Sequence, residues 1–443
     1  MGTKIFTAWN IPVLSLLVII TSLHQATAQN FVLSSSPQVG VGPFCVVAAD
    51  LTGGGKLDLV TANSGEGTLT VLTNTGAGIF GSNATYTVGS GPYAVVAADV
   101  NGDNKLDLIA ANANDGSVTV LTNNGNGTFT PSSTNAVGSG PYSVAAANLN
   151  IDGKTDLIAA NANDSTLTVL TNTGSGIFGS NATYTVGLNP QHVEAVDVNG
   201  KGKLALVSCN YGDNTLTVLT NNGFGVFGSN ATYTVGSGPV FFAAADVNGD
   251  GKLDLITANI SDSTLTVLTN NGNGGFGSNA TCNVGYYPEC VAAADINGDG
   301  KVDLITANYS PDGSGNTLTV LTNNGSGIFA PWGTVIVGTG PVFVTVADVN
   351  GDGIPDMISA NIGGGNGNTL TLLLNVDPPV LNIRFPRVNT ALVSWFPAWP
   401  GYLLQGRTNL TTGSWLNISN PTGTNSVSIS PAIGNNFFRL RHP

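Results

Sequence analysis

Charge is scarce in this chain: only 9% of its 443 residues are charged, with 26 acidic residues against 13 Lys and Arg. No Arg occurs before residue 384, and every acid falls between Asp50 and Asp377. A body this acidic does not suit a polyanion, so nucleic-acid binding is excluded as its role. Histidine is nearly absent. His24 precedes the body and His442 is next to last, so a Ser-His-Asp or zinc site there has only His192 to use. The four cysteines, Cys45, Cys209, Cys282 and Cys290, permit three pairings but occupy different repeat positions. We assert no disulfide between them, and the chain is no cysteine-dense scaffold. Long apolar runs are missing apart from Ile11 to Ile20, which is too short to span a bilayer. Lys4 precedes it and Ala26-Thr27-Ala28 follows, the pattern of a secretory signal peptide over residues 1–28 with a mature chain from Gln29. A retained anchor is the alternative.

What abounds is glycine, 59 residues, together with 42% hydrophobic residues. That combination describes a turn-rich β protein with a full core. The motif Asp-x-Asn-Gly-Asp-Gly-x-x-Asp, or a worn copy, starts at Asp50, Asp99, Asn148, Asp197, Asp246, Asp295 and Asp348. Its spacing is 49 residues five times and then 53, with the extra residues in Ser310 to Asn316. A fixed period of this length means repeated supersecondary units. Each unit holds four alternating runs, as in Tyr93 to Val100, Leu106 to Ala111, Ser117 to Thr122 and Phe129 to Val137, which is one propeller blade.

The ends of the array predict how it closes. Phe31 precedes Asp50 by the 19 residues that separate Phe80 from Asp99. Repeat seven, conversely, stops at Asp377-Pro378-Pro379 with no outer strand of its own. The N-terminal strand is therefore expected to complete the last blade and remove the open edge. The expectation is an all-β, seven-bladed β-propeller over residues 29–377 followed by a small β-sandwich-like domain over 378–443. An open β-solenoid is the alternative fold.

The repeated loop has the chemistry of a calcium site. Calcium takes six to eight oxygens, and an acidic loop supplies them from positions one, three, five, seven (backbone carbonyl) and nine. Three sets are complete: Asp246, Asn248, Asp250, Lys252 and Asp254; Asp295, Asn297, Asp299, Lys301 and Asp303; and Asp348, Asn350, Asp352, Ile354 and Asp356. Asp99, Asn101, Asp103, Lys105 and Asp107 make a fourth, with Asn104 replacing the position-six Gly in a conformation that Asn tolerates. Asn148, Asn150, Asp152, Lys154 and Asp156 lose one charge and should bind more weakly. Blade one has Gly54 at position five. Blade four has Lys201 at five and Ala205 at nine, so it is expected to hold an ammonium where an ion would sit. Six lysines stand at position seven and should shield the neighbouring carboxylates. The bland reading is a hairpin of Asp, Asn and Gly that merely turns the chain.

These loops resemble the FG-GAP or VCBS repeats found in the heads of integrin α-chains. The resemblance covers residues 31 to about 377. It implies calcium in the hairpin joining the first and second strands of a blade, on the face opposite the usual ligand surface, and extracellular binding or adhesion. The run Gly401-Tyr402-Leu403-Leu404-Gln405, with Trp415 and Phe438-Arg439-Leu440-Arg441, resembles a C-terminal module of exported Verrucomicrobia-type bacterial proteins. Sorting, surface attachment or a plain accessory role would all suit it, with Trp395, Trp399 and Trp415 as core candidates.

No catalytic residue is expected. His192 fills a slot held in other repeats by Cys45, Ala94, Ser143, Phe241, Cys290 and Phe343, a variation that fits local packing. Gly-x-Gly-x-x-Gly recurs from Gly76, Gly174, Gly223 and Gly272, but each copy enters a strand where a dinucleotide site needs a helix. The leading expectation is a secreted or cell-surface, non-enzymatic calcium-binding module for a glycan or protein. A calcium-dependent polysaccharide lyase and a purely structural surface protein are the alternatives. A binding face would carry the residues that follow each repeat's Pro: Phe44, Tyr93, Tyr142, Gln191, Val240, Glu289 and Val342, with Tyr286 and Tyr287 nearby.

Overall fold

The structure, a computed structural model, describes residues 31–376 except 180, 181 and 313, and the backbone of 380–387, 390–396, 403–407, 416–417, 426–429 and 437–441. The candidate signal peptide and the side chains of Trp395, Trp399 and Trp415 lie outside the described residues.

Residues 31–375 form one compact unit of seven four-stranded antiparallel sheets. Blade two shows the pattern, with a first strand Pro92–Ala98, a second Asp107–Asn112, a third Ser117–Asn123 and an outer strand Phe129–Ala136. The second strand is wholly buried and the outer one is mostly exposed. Leu, Val, Ile and Thr fill the middle strands because their β-branched and apolar side chains pack on both faces of a sheet that has a neighbour on each side. Apolar clusters accordingly span adjacent blades. Leu69 and Val71 of blade one meet Val95 and Leu108 of blade two.

Closure occurs as the split repeat predicts. The strand Phe31–Ser35 pairs antiparallel with Thr369–Asn375, Phe31 opposite Asn375 and Leu33 opposite Leu373, and completes blade seven. Val46, Leu59 and Leu72 of blade one pack on Val349, Ile358 and Leu370 of blade seven. An Asn at the end of each third strand pins its blade to the preceding one, which for blade one is blade seven across the seam. Asn123 donates to Leu51 O at 2.9 Å, and Asn74 donates to Val349 O at 2.7 Å.

The unit that includes residues 376–443 holds two three-stranded sheets. Val380–Arg387, Thr390–Phe396 and Ser426–Ile429 form one, while Leu416–Asn417, Leu403–Arg407 and Phe437–Arg441 form the other. Val380–Arg387 accommodates Pro386 at an irregularity between Arg384 and Arg387 in its pairing with Thr390–Phe396.

Candidate functional site: seven loops and an axial cavity

Each first strand begins at the repeat's Pro and ends at the acidic loop, so two different surfaces sit at its two ends. The loops share one architecture. Asp246 Oδ1 accepts the N–H groups of Gly249 (2.7 Å) and Asp250 (3.2 Å), and Oδ2 accepts that of Gly251 (2.7 Å). Asn248 Oδ1 accepts the Asp250 N–H at 2.9 Å, and Asp250 Oδ1 that of Lys252 at 3.1 Å. The loops from Asp295 and Asp348 repeat these contacts. The loop from Asp99 does so with Asn104 at a φ of 62°, the left-handed conformation that position six requires.

Two expectations about lysine fare differently. Of the six at position seven, Lys105, Lys154, Lys252 and Lys301 lie 3.1 to 3.6 Å from Asp103, Asp152, Asp250 and Asp299 and shield them, whereas Lys56 and Lys203, whose loops have no carboxylate at position five, donate to Thr75 O and Asn222 O. Lys201 does not take the place of an ion. Its side chain is exposed and makes no ion pair with Asp197 among the described residues, whose carboxylate instead accepts the Lys201 and Gly202 N–H groups. The long flexible stem leaves its charge in water, where solvation is stronger.

The position-nine carboxylates have a structural task as well. Asp107 is fully buried; its Oδ1 accepts the Asn123 N–H at 2.8 Å and its Oδ2 the Val100 N–H at 3.1 Å. Burial raises the pKa values of Asp107, Asp156 and Asp254, and it lifts Asp303 to about 6 and Asp356 to about 7. Backbone N–H groups oppose the rise. One buried oxygen in the loops, Asn148 Oδ1, has no hydrogen-bond partner, and Asp303 is served at that end by a weak contact from the Ile296 N–H. Oxygens of this kind suit a hard cation, which carboxylates, an amide oxygen and a carbonyl would surround. Among the described residues, however, no three His, Cys, Asp or Glu side chains gather into a group that could hold a metal ion. Blade one, with Gly54 and Gly55 donating to Asp50 at 3.0 and 2.8 Å, forms the same turn as the complete loops.

At the opposite ends of the first strands lies a cavity of about 230 Å³ to which all seven blades contribute, and which is therefore axial. Its wall holds every residue that follows a repeat's Pro. Phe44 and Tyr93 have ring centroids 4.4 Å apart, and Tyr93 and Tyr142 4.6 Å apart, so three successive blades present one aromatic arc. None of the three is fully buried. Tyr286 is exposed and Tyr287 half-buried, their rings 4.7 Å apart. Glu289 is part of the wall, and desolvation pushes its carboxyl up to about 7. It and Tyr142 both raise the pKa of Tyr93, which burial raises most.

His192, read from the sequence as a packing residue, is part of the same wall. It stacks on Phe241 at 3.9 Å, its Nδ1 lies 3.2 Å from Ser143 Oγ, and its Nε2 lies 3.3 Å from Glu194 Oε1. No sequence signal marks this trio, because Ser143 and His192 are 49 residues apart and occupy one equivalent slot in adjacent repeats. Cys45, Cys209, Cys282 and Cys290 are free, and burial raises all four thiols, which rules against reactive thiolates.

Comparison with known proteins follows the fold. The FG-GAP-like repeat family matches residues 50–110, 99–159, 148–208, 197–257, 246–306 and 295–359. No curated protein sequence matches the chain. Among solved structures, BBS1N in complex with ARL6DN is similar with a TM-score of 0.55 at 12% identity, over 78% of this chain and 97% of that one. A functionally unknown protein from Desulfotomaculum acetoxidans has a TM-score of 0.51 at 10% identity over 87% of this chain and 98% of its own. A protein from Lactobacillus plantarum has a TM-score of 0.50 at 13% identity over 89% and 98%. At such identities these likenesses concern the fold alone.

Proposed function

Because the chain belongs to the FG-GAP-like repeat family, we propose that it is an exported, calcium-stabilised propeller that works as a non-enzymatic binding or adhesion module for a glycan or protein outside the cytoplasm. The observation that carries this reading is the axial cavity, where a concave aromatic wall with a few polar groups collects the residues following each Pro. Calcium would be held by the complete loops of blades two, five, six and seven, and more weakly in blade three. There it would neutralise carboxylates that burial and mutual repulsion disfavour, and it would stiffen the face opposite the cavity. The C-terminal segment would attach or sort the protein at the cell surface.

Screening the purified full chain against glycan and peptide arrays, with and without calcium, tests the proposal. It predicts saturable binding, lost in a variant carrying Tyr93→Ala and Tyr142→Ala that still folds, and no turnover of any bound ligand. Binding that ignores this double substitution would overturn it.

A hydrolase is the second reading, favoured by the Ser143, His192 and Glu194 chain. Two facts weigh against it. Ser143 Oγ also accepts the Val193 N–H at 3.3 Å, and the side chain is buried. A nucleophile needs a free lone pair and a route to substrate. Ester or glycoside cleavage that disappears in Ser143→Ala would establish this reading in place of the first.

A further inference from the structure

We propose that Asn199, in the acid-poor loop of blade four, is a site of spontaneous deamidation through a succinimide, a modification that the complete loops withhold from their own Asn-Gly steps.

The reaction needs a free main-chain nitrogen. The Gly200 nitrogen, its proton taken by hydroxide, attacks Asn199 Cγ. A C–N bond forms and closes the succinimide ring, the bond from Cγ to the side-chain nitrogen breaks, and ammonia leaves with a proton from water. Water then opens the ring at either carbonyl and gives Asp or isoaspartate, with no change of oxidation state. A Gly N–H that already donates a hydrogen bond resists this step, because the bond must break before the nitrogen can attack.

Most Asn-Gly steps of the chain are held in that way. In the complete loops the Gly after Asn101, Asn248, Asn297 or Asn350 donates to the position-one carboxylate at 2.7 to 2.8 Å. In the outer hairpins the Gly after Asn124, Asn222, Asn271 or Asn324 donates to the Asn that ends the third strand, at 2.8 to 2.9 Å. Blade four differs. Asp197 Oδ1 accepts the Asn199 and Lys201 N–H groups at 3.4 and 3.2 Å and Oδ2 that of Gly202 at 2.7 Å, so the Gly200 N–H has no partner among the described residues. Gly200 is exposed, and nothing lies within 4 Å of where a Cβ on it would stand.

Charge acts in the same direction. The residue after Gly200 is Lys201, where the complete loops carry Asp103, Asp250, Asp299 and Asp352. A carboxylate there disfavours negative charge on the neighbouring nitrogen, and an ammonium does not. The electrophile, by contrast, is matched. Lys201 N–H donates to Asn199 Oδ1 at 3.1 Å, as Asp250 N–H does to Asn248 Oδ1 at 2.9 Å. Asn248 is therefore an internal control that differs at the Gly N–H and at position five. Gly274, after Asn273, also has a free N–H among the described residues, but Tyr233 Oη donates to its carbonyl at 3.2 Å and Val198 Cγ2 lies 3.2 Å from its Cβ position, which hold it in place. That seat gives the modification a consequence. Asn270 Nδ2 donates to Val198 O at 2.9 Å, so isoaspartate at 199, with its longer main chain, falls one residue from the contact between blades four and five.

Holding the full chain at pH 8 in EDTA, then digesting it and measuring deamidation at each Asn-Gly step by mass spectrometry, tests the assignment. Asn199 should convert at least about 10-fold faster than Asn248, Asn297 and Asn350, the factor that one hydrogen bond to a carboxylate supplies. In urea that unfolds the chain the rates should become alike. Lys201→Asp, shown folded by its melting curve, should slow Asn199 by about 3-fold or more. Conversion of Asn199 no faster than that of Asn248 overturns the assignment. So does a lead that persists undiminished in urea, which would make it a property of the local sequence, or an unchanged rate in folded Lys201→Asp.

Discussion

Replacing Glu289 with Gln gives a stability change whose size and pH course follow from the structure. The carboxyl is raised from an ordinary 4.5 to about 7 by desolvation. The unfolded chain thus loses this proton at lower pH than the native one. Between those two values the native state holds more protons than the unfolded state, so the group makes stability fall as pH rises; above about 7 the loss is complete. The ionised native protein is then about 3 kcal/mol less stable than the same protein without the charge. Gln keeps the shape and has no charge to desolvate. Glu289→Gln should therefore match the wild type at pH 4, gain on it from pH 5 to 7, and exceed it by up to about 3 kcal/mol at pH 8. Urea unfolding of both proteins side by side, in EDTA, measures the difference. Subtraction cancels the other raised carboxyls, Asp303 and Asp356, which lie in the loops at the far ends of the first strands, while Tyr93 and Cys290, which Glu289 does influence, are raised and lose no proton in this range. A gap constant across this range, or a variant less stable at pH 8, would refute the burial argument for Glu289.

Three further outcomes are expected. EDTA should lower the melting temperature and calcium restore it, by about 2.7 kcal/mol per site at ligand 100-fold above its dissociation constant. Asp250→Ala should remove one bound calcium in equilibrium dialysis and Asp197→Ala none, whereas equal losses would show the loops are plain turns. Asn74→Ala removes the 2.7 Å bond to Val349 O across the ring seam and one to Leu57 O. It should cost about 1 to 3 kcal/mol in chemical denaturation, and no measurable change would mean the bond is dispensable.

The parts of this protein that were legible in its sequence are those made by local chemistry repeated in register. A period of 49 residues, four alternating runs per period and a turn of Asp, Asn and Gly at each first hairpin define a blade, because strand pairing and turn geometry act over a few residues. Even the ring closure could be read, since Phe31 stands the right distance before Asp50 to be the strand that blade seven lacks. The same local logic misjudged Lys201, whose position in the motif says nothing about where a flexible ammonium finds water. The axial cavity belongs to tertiary structure alone. Phe44, Tyr93, Tyr142, His192 and Glu289 come from five different blades and are spread over 245 residues of chain. Each occupies a repeat slot that varies freely, so each reads as packing. Only the closed ring, which turns every first strand toward one axis, puts the aromatic arc and Glu289 into one cavity wall and His192 between Ser143 and Glu194.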